Sequence, residues 1–170
     1  ASLGIKQNTS EAILADLQAA RDAQRDLHSA LGERTTEVTP AQREADKAGR
    51  AFILQAKNGL KIHLGDQWNQ AWSQAGFVNH SLKTPRTLPE REALLKSLAE
   101  YLAAHPAHEN PSTQVKLEMT AARASSIHEA LSDARSAAMA HRAEQQRLRE
   151  VRDAAVSQLR KRLRGAISEL

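Results

Sequence analysis

The sequence contains no cysteine, and only 3% of its 170 residues are aromatic. The absence of thiols excludes a disulfide framework, a thiolate zinc site and a cysteine nucleophile. No window approaches the run of about 20 apolar residues that a membrane-spanning helix requires. The first residues also lack the apolar core of a secretion signal. These absences favour the cytoplasm as the compartment, and they argue against a membrane as a partner.

Alanine and leucine supply most of the apolar content instead. The chain has 31 Ala and 20 Leu, against 5 Val and 6 Ile. Ala, Leu, Glu, Gln, Lys and Arg favour helices, whereas β-branched and aromatic residues favour strands. The composition therefore predicts an all-α fold.

Apolar residues at steps of three and four predict two long helices over residues 8–64. Asn8 is a suitable N-cap for the first helix, and Thr39-Pro40 marks the start of the second. A polar run that begins at Gly32 separates them, and Gly65 suits the left-handed conformation that ends a helix. The buried stripe of the second helix consists of small residues, which let two backbones approach closely. We therefore expect these helices to pair as an antiparallel hairpin.

Residues 65–110 are predicted to form an aromatic connector that contains two shorter helices. The first short helix begins at Asp66 as its cap, and it carries Trp68 and Trp72 on one face. The second begins at a Thr87–Glu90 capping box and is stopped by His105-Pro106.

Residues 111–170 contain no Gly or Pro between Ser112 and Gly165. A single helix here would be about 80 Å long, which is too long for a domain of this size, and it would need a partner in another chain. An internal repeat, in which a shift of 100 residues places Leu17 on Leu117, favours a second hairpin that turns near residues 136–140. We therefore expect residues 1–170 to form a single domain. Its architecture would be an antiparallel helical bundle of two long hairpins with two shorter helices between them.

Two segments resemble a known group of proteins. They read Leu64-Gly65-Asp66-Gln67-Trp68 and Glu90-Arg91-Glu92-Ala93-Leu94-Leu95-Lys96-Ser97-Leu98. Over residues 50–105 and 155–170 the chain is similar to uncharacterised bacterial proteins with Ala/Arg-rich helical repeats, some of which continue into a fibronectin-type module. The resemblance implies a helical module of a longer protein, and it supplies no activity.

All five aromatic residues lie within residues 52–101. In one interpretation they form a core plug between the two hairpins. In the other, a partly exposed groove bounded by Trp72, Phe77 and residues 79–85 accepts a partner segment, because aromatic anchors concentrate binding energy. The candidate partner-binding residues are Trp68, Trp72, Phe77 and Tyr101.

Residues 141–164 are the most basic part of the chain. They hold eight Lys or Arg against three Asp or Glu, a net charge of +5, whereas the whole chain carries +4. Clustered arginines can neutralise phosphates without reading bases. However, the basic positions go round the helix and no aromatic lies among them, so a solvated face is the simpler interpretation. The candidate polyanion-binding residues are Arg142, Arg149, Arg160, Lys161 and Arg164.

The sequence contains no motif for metal-dependent or catalytic chemistry. His105, His108 and Glu109 are potential ligands, but Pro106 breaks the helix that would align them. The Glu-x-x-His motifs of di-iron bundles, the nucleophile elbow and the P-loop are all missing. The sequence therefore predicts no catalytic residue, no metal site and no cofactor. It predicts a non-enzymatic interaction or scaffold module that binds a protein partner or self-associates, and the alternative is a nucleic-acid or polyanion binder.

Overall fold

The computed structural model describes residues 9–114 and 117–169. Over these residues the regular structure is helical and no strand is present, so the predicted all-α class is confirmed. The α-helices are α1 (Ser10–Glu33), α2 (Thr39–Leu64), α3 (Gln70–Gln74), α4 (Leu88–Ala104) and α5 (Ala121–Glu169). A π-helix spans Arg34–Val38, and a 3₁₀ turn spans Pro106–His108.

The chain divides into two compact units, where the sequence had led us to expect a single domain. Ala1–Thr39 and Ala138–Leu170 make up one of them, which we call the terminal unit. Pro40–Ala137 makes up the other, which we call the central unit. Helix α5 contributes residues to both.

Several of the helix ends predicted from local sequence motifs are confirmed. The Thr87–Glu90 capping box is present at the start of α4, and this helix ends at Ala104, just before His105-Pro106. Gly65 has a φ of +88° and follows the last residue of α2, as predicted. The proposed cap Asn8 lies outside the described residues. The observed cap of α1 is Thr9, whose Oγ1 accepts a hydrogen bond from the backbone N of Ala12 at 3.2 Å.

Both turns that were expected inside the long hairpins are wrong. The run from Gly32 to Thr39 stays helical, and its π-helix is supported by Thr35 and Thr36, whose hydroxyls donate to carbonyls four residues back. Residues 136–140 lie inside α5, which has no glycine or proline there to interrupt it. A long helix was also expected to need a second chain. Instead, residues of α5 beyond Ala138 pack on α1 of the same chain, so the arrangement as two hairpins is not confirmed.

The core of the central unit combines large and small side chains from four helices. Its fully buried large residues are Phe52, Ile53, Leu60, Trp72, Phe77, Leu95, Leu98, Leu102 and Leu131. Glycines on α2 allow close approach. A Cβ on Gly49 would lie 3.2 Å from Leu95 Cδ1, and one on Gly59 would lie 2.8 Å from Met119 Sδ.

A buried arginine joins three parts of the central unit. Only 2% of Arg91 is exposed, and its Nε donates to Oδ1 of Asp46 on α2 at 2.6 Å. Its Nη1 donates to the carbonyl oxygens of Pro85 and Arg86, at 2.8 and 2.7 Å. One side chain of α4 therefore connects this helix to α2 and to the loop that precedes it. Because the charge is paired and hydrogen-bonded, its burial is tolerated.

Replacing Arg91 by Met should lower the free energy of unfolding by about 3 kcal/mol, because it removes the partner of a mostly buried carboxylate and leaves two carbonyls without their donor. Urea unfolding followed by the helical circular dichroism signal measures the change. Arg50→Met is the matched control. Arg50 bonds the other oxygen of Asp46 at 2.9 Å, but it is exposed, and its loss should cost less than about 1 kcal/mol. Equal losses for the two variants would contradict the role given to Arg91.

Candidate partner-binding surface

The terminal unit buries one stripe from each of its helices. Along α1 and into the π-helix, buried or half-buried residues recur at steps of four and three: Asp16, Ala20, Ala23, Leu27, Ala30 and Arg34. On α5 the same alternation runs through Ala138, His141, Gln145, Leu148, Arg152, Ala155, Leu159, Arg162 and Ala166. This is the seven-residue period at which one helix keeps the same face toward another. We call the contact between these stripes the seam.

Polar groups in the seam set the register of the two helices. Arg162 of α5 donates to the carboxylate of Asp16, near the start of α1. At the other end of α1, Gln145 Nε2 donates to the carbonyl of Ala30 at 3.2 Å, and Arg34 Nη1 donates to Gln145 Oε1 at 3.2 Å. The start of α1 therefore lies beside the end of α5, and the pair is antiparallel.

The residues one position after the seam form a second stripe on each helix. On α1 this stripe holds Leu14, Leu17, Arg21, Gln24, His28 and Leu31. On α5 it holds Met139, Arg142, Gln146, Arg149, Asp153, Val156, Arg160, Leu163 and Ile167. Gln24 of α1 lines one groove together with Val156 and Arg160 of α5, so the two second stripes lie on the same side of the pair. We call this side the flank.

The flank leaves large apolar side chains open to solvent. Leu14 is 62% exposed and Ile167 is 73% exposed, with Leu163 at 41%. The Asp16–Arg162 ion pair brings the residues around Leu14 to the same end of the pair as Leu163 and Ile167. An apolar patch therefore occupies this end of the flank, where no described residue covers it.

A groove of about 670 Å³ runs along the flank, and we call it the basic groove. It is lined by Gln24, Arg152, Asp153, Val156, Ser157, Arg160, Lys161 and Arg164. These residues bring four cations against one carboxylate. Arg152 donates through Nε and Nη2 to Asp153 Oδ1, at 2.9 and 2.6 Å, so the one carboxylate is already engaged. The groove is consequently an electropositive site.

The five residues named from the sequence as polyanion-binding share one property. Within residues 9–114 and 117–169, none of Arg142, Arg149, Arg160, Lys161 and Arg164 has a carboxylate partner. The other three cations of the segment, Arg147, Arg152 and Arg162, all do. The basic positions do go round the helix, since Arg152 and Arg162 lie in the seam and the others follow seam residues by one or two positions. Arg160, Lys161 and Arg164 nevertheless line the basic groove. Polyanion binding itself stays a prediction.

The aromatic residues named as partner-binding are mostly inside the central unit. Trp72, Phe77 and Tyr101 are 0%, 2% and 5% exposed, so their side chains offer almost no surface to a partner. Trp72 and Phe77 meet edge to face at 5.2 Å between ring centroids. Trp68 is half-buried, and its Nε1 donates to the carbonyl of Phe77 at 2.8 Å. These side chains therefore belong to the core of the central unit, whereas the two hairpins between which the core plug was expected are not confirmed.

The short helix that was expected to carry both tryptophans is shorter than predicted. Helix α3 begins at Gln70, and Asn69 rather than Asp66 caps it, with Oδ1 accepting from the backbone N of Ala71 at 2.9 Å. Trp68 therefore precedes the helix and only Trp72 lies in it. The Trp72 Nε1 donates to the carbonyl of Gly65 at 3.2 Å, which ties α3 to the end of α2.

A groove of about 550 Å³ does lie beside the predicted position. It is lined by Phe77 and by the connector from Val78 to Arg86, and on its other wall by α4 residues that include Leu94 and Ser97. Trp72 does not line it. The backbone of Asn79 and His80 is left-handed there, with φ of 61° and 52°. Its use by a partner segment remains a prediction.

Three histidines and one tyrosine cluster at helix C-termini of the central unit. The rings of His63 and His108 stack at 4.1 Å, and those of His105 and His108 lie 5.3 Å apart. Tyr101 Oη is 2.9 Å from His108 Nδ1, and the ring N–H of His105 donates to the Tyr101 carbonyl at 2.9 Å. Burial, followed by the nearby His63 and His105, lowers the pKa of His108. Burial also raises the pKa of Tyr101, so the phenol stays neutral.

Across the part of the chain that the structure describes, no group of three or more His, Asp or Glu side chains is arranged to hold a metal ion. None of the helices searched is both long enough and apolar enough to cross a membrane. Comparisons of the chain with protein-family models, with curated proteins and with solved structures find no match.

The free energy of unfolding should decrease as the pH falls through the histidine range. Because the pKa of His108 is lowered from 6.5 in the folded protein, the unfolded chain takes up a proton below about pH 6.5 that the folded chain resists. His108→Gln should flatten this decrease, measured by urea unfolding between about pH 7.5 and 5.5. The pKa of Glu92 is lowered by its hydrogen bond with Arg135, so its stabilisation is lost only below this window.

His28→Gln, which removes an exposed histidine of α1 outside the cluster, is the control and should keep the wild-type pH dependence. If His108→Gln retained the full decrease, the cluster would not be its source.

Proposed function

We propose that this chain is a non-enzymatic helical interaction module, and that it acts by offering the flank of the terminal unit to a helix of a partner protein. The observation that carries the proposal is the second stripe. It repeats the spacing of the seam on both helices, yet it leaves Leu14, Leu163 and Ile167 in solvent. A third helix laid along the flank would form a coiled coil with the pair already present.

The energetics of the seam support this role. Most of its apolar positions are alanine, and the buried residues of α1 are three alanines and Leu27. Burying a leucine or isoleucine stabilises by about 1.5–3 kcal/mol, whereas a methyl group contributes much less. The large apolar side chains Leu14, Leu163 and Ile167 lie outside the seam, and covering them would bury more apolar area per residue than the alanine positions of the seam do.

The proposal is tested with three helical peptides of about 28 residues, or four heptads. Each carries leucine at the two core positions of every heptad, and the flanking positions are all Glu, all Gln or all Lys. At least one peptide should bind the whole chain with one-to-one stoichiometry in isothermal titration calorimetry. The double variant Leu163→Gln, Ile167→Gln should weaken this binding by about tenfold or more, because it removes two apolar contacts.

The matched control is Leu54→Gln, Ile62→Gln, which changes one exposed leucine and one exposed isoleucine of the central unit. It should bind like the wild type. If no peptide bound, or if both double variants lost the same affinity, the flank would not be an interaction surface.

A second candidate function, binding of nucleic acid or another polyanion, is favoured by the basic groove. The five cations that have no carboxylate partner among the described residues are available to phosphates. Each phosphate contact contributes about −0.9 to the slope of log K against log salt on duplex DNA.

A salt titration with generic duplex DNA tests this candidate. The expected slope is about −3 to −5 for the wild type, and Arg160→Gln, Lys161→Gln, Arg164→Gln should reduce its magnitude by up to about 3. Absence of salt-sensitive binding near physiological ionic strength would remove the candidate.

A further inference from the structure

We infer that the flank of the terminal unit selects an acidic amphipathic helix, whose carboxylates pair with the cations of the basic groove and whose apolar side chains cover the adjoining patch. The inference rests on the proposed function, and it adds the chemistry of the partner. It follows from the charges, the apolar residues and the spacing of one continuous surface.

The apolar requirement comes from the end of the flank. Leu14, Leu163 and Ile167 are more than a third exposed, and half-buried Leu17 and Val156 continue the stripe toward the middle of the groove. A partner that supplied only charge would leave this patch in water. A helix with its own apolar stripe at a seven-residue period matches the spacing of the patch.

The acidic requirement comes from the middle of the groove. Arg160, Lys161 and Arg164 have no carboxylate partner in the part of the chain that the structure describes, and the only carboxylate of the groove bonds to Arg152. Arg149 and Arg142 extend the same charge along the flank, one and two heptads before Val156. Glutamates at the flanking positions of a third helix would lie within reach of these long side chains.

The same charges argue against a second copy of this chain as the occupant. In a twofold dimer the flank would face itself, so the cations of one copy would meet those of the other. Like charges placed opposite each other oppose association, and the groove contains no free carboxylate to offset them. Self-association through this surface is therefore disfavoured.

Nucleic acid would satisfy the cations but not the rest of the surface. Phosphate contacts would leave the exposed leucines and isoleucine in water. Residues 138–170 also contain no Trp, Tyr or Phe on which bases could stack. A generic duplex therefore serves as a competitor in the test.

The experiment compares the Glu, Gln and Lys peptides described above on the whole chain, at physiological salt. The Glu peptide should bind about tenfold more tightly than the Gln peptide, since exposed ion pairs strengthen association about twofold each and three or more are available. The Lys peptide should not bind measurably. In Arg160→Gln, Lys161→Gln, Arg164→Gln the Glu and Gln peptides should bind with nearly equal affinity.

Arg43→Gln, Lys47→Gln, Lys96→Gln is the matched control. It removes the same charge from exposed positions of the central unit and should keep the preference for the Glu peptide. Polyglutamate without leucines should bind at least about tenfold more weakly than the Glu peptide, because it cannot cover the apolar patch.

The outcomes separate the inference from the proposed function. If the Gln or Lys peptide bound as tightly as the Glu peptide, the proposed preference for an acidic helix would be wrong. The proposal that the flank is an interaction surface would still hold. Binding by none of the three would remove both. Three further results would each contradict an acidic helix as the occupant of the flank. In the first two, polyglutamate binds as tightly as the Glu peptide, or an equimolar generic duplex displaces the Glu peptide. The third is a dimer of this chain that dissociates in the double variant Leu163→Gln, Ile167→Gln.

Discussion

Small side chains along the buried stripes are the constraint on which both units depend. Alanine and glycine let neighbouring groups approach a helix closely, as the Met119 side chain does at Gly59, but they bury little apolar area and they fit a neighbour in several registers. Polar groups therefore have to define the register. The Asp16–Arg162 ion pair does so in the terminal unit, and the paired guanidinium of Arg91 does so in the central unit.

This division of roles also shapes the surface of the terminal unit. The seam contains more alanines than leucines, and the large apolar residues Leu163 and Ile167 lie on the flank. Arg162 pairs with Asp16 across the seam, whereas Arg147 and Arg152 pair with carboxylates of α5 itself. The other five cations of the segment have no carboxylate partner among the residues that the structure describes. Apolar area and charge accumulate on the same side. Exposed apolar patches rimmed by polar residues mark interaction sites, and this patch is the basis of the proposed interaction.

The features that the sequence predicted correctly are those that depend on neighbouring residues. The Thr87–Glu90 capping box and the left-handed Gly65 involve hydrogen bonds within one turn, and they lie where they were expected. Helix pairing was predicted wrongly. A stripe with steps of three and four identifies the buried face of a helix, but it does not identify the helix that packs against that face. The seam spacing of residues 138–166 was readable in advance, yet without the Asp16–Arg162 contact it named no partner. Trp72 was ambiguous for a similar reason, because a tryptophan in the sequence is equally compatible with a buried core and with a binding groove.

The confinement of the aromatic residues to residues 52–101 has a spectroscopic consequence. Both tryptophans belong to the central unit, one fully enclosed at Trp72 and one half-buried at Trp68, and the two segments of the terminal unit contain no Trp, Tyr or Phe. Intrinsic fluorescence therefore observes one unit alone, whereas the amide signal in the far ultraviolet observes both. Tryptophan fluorescence of the unlabelled protein therefore follows the unfolding of the central unit. A difference between the midpoints of the two signals would show that the two units unfold separately.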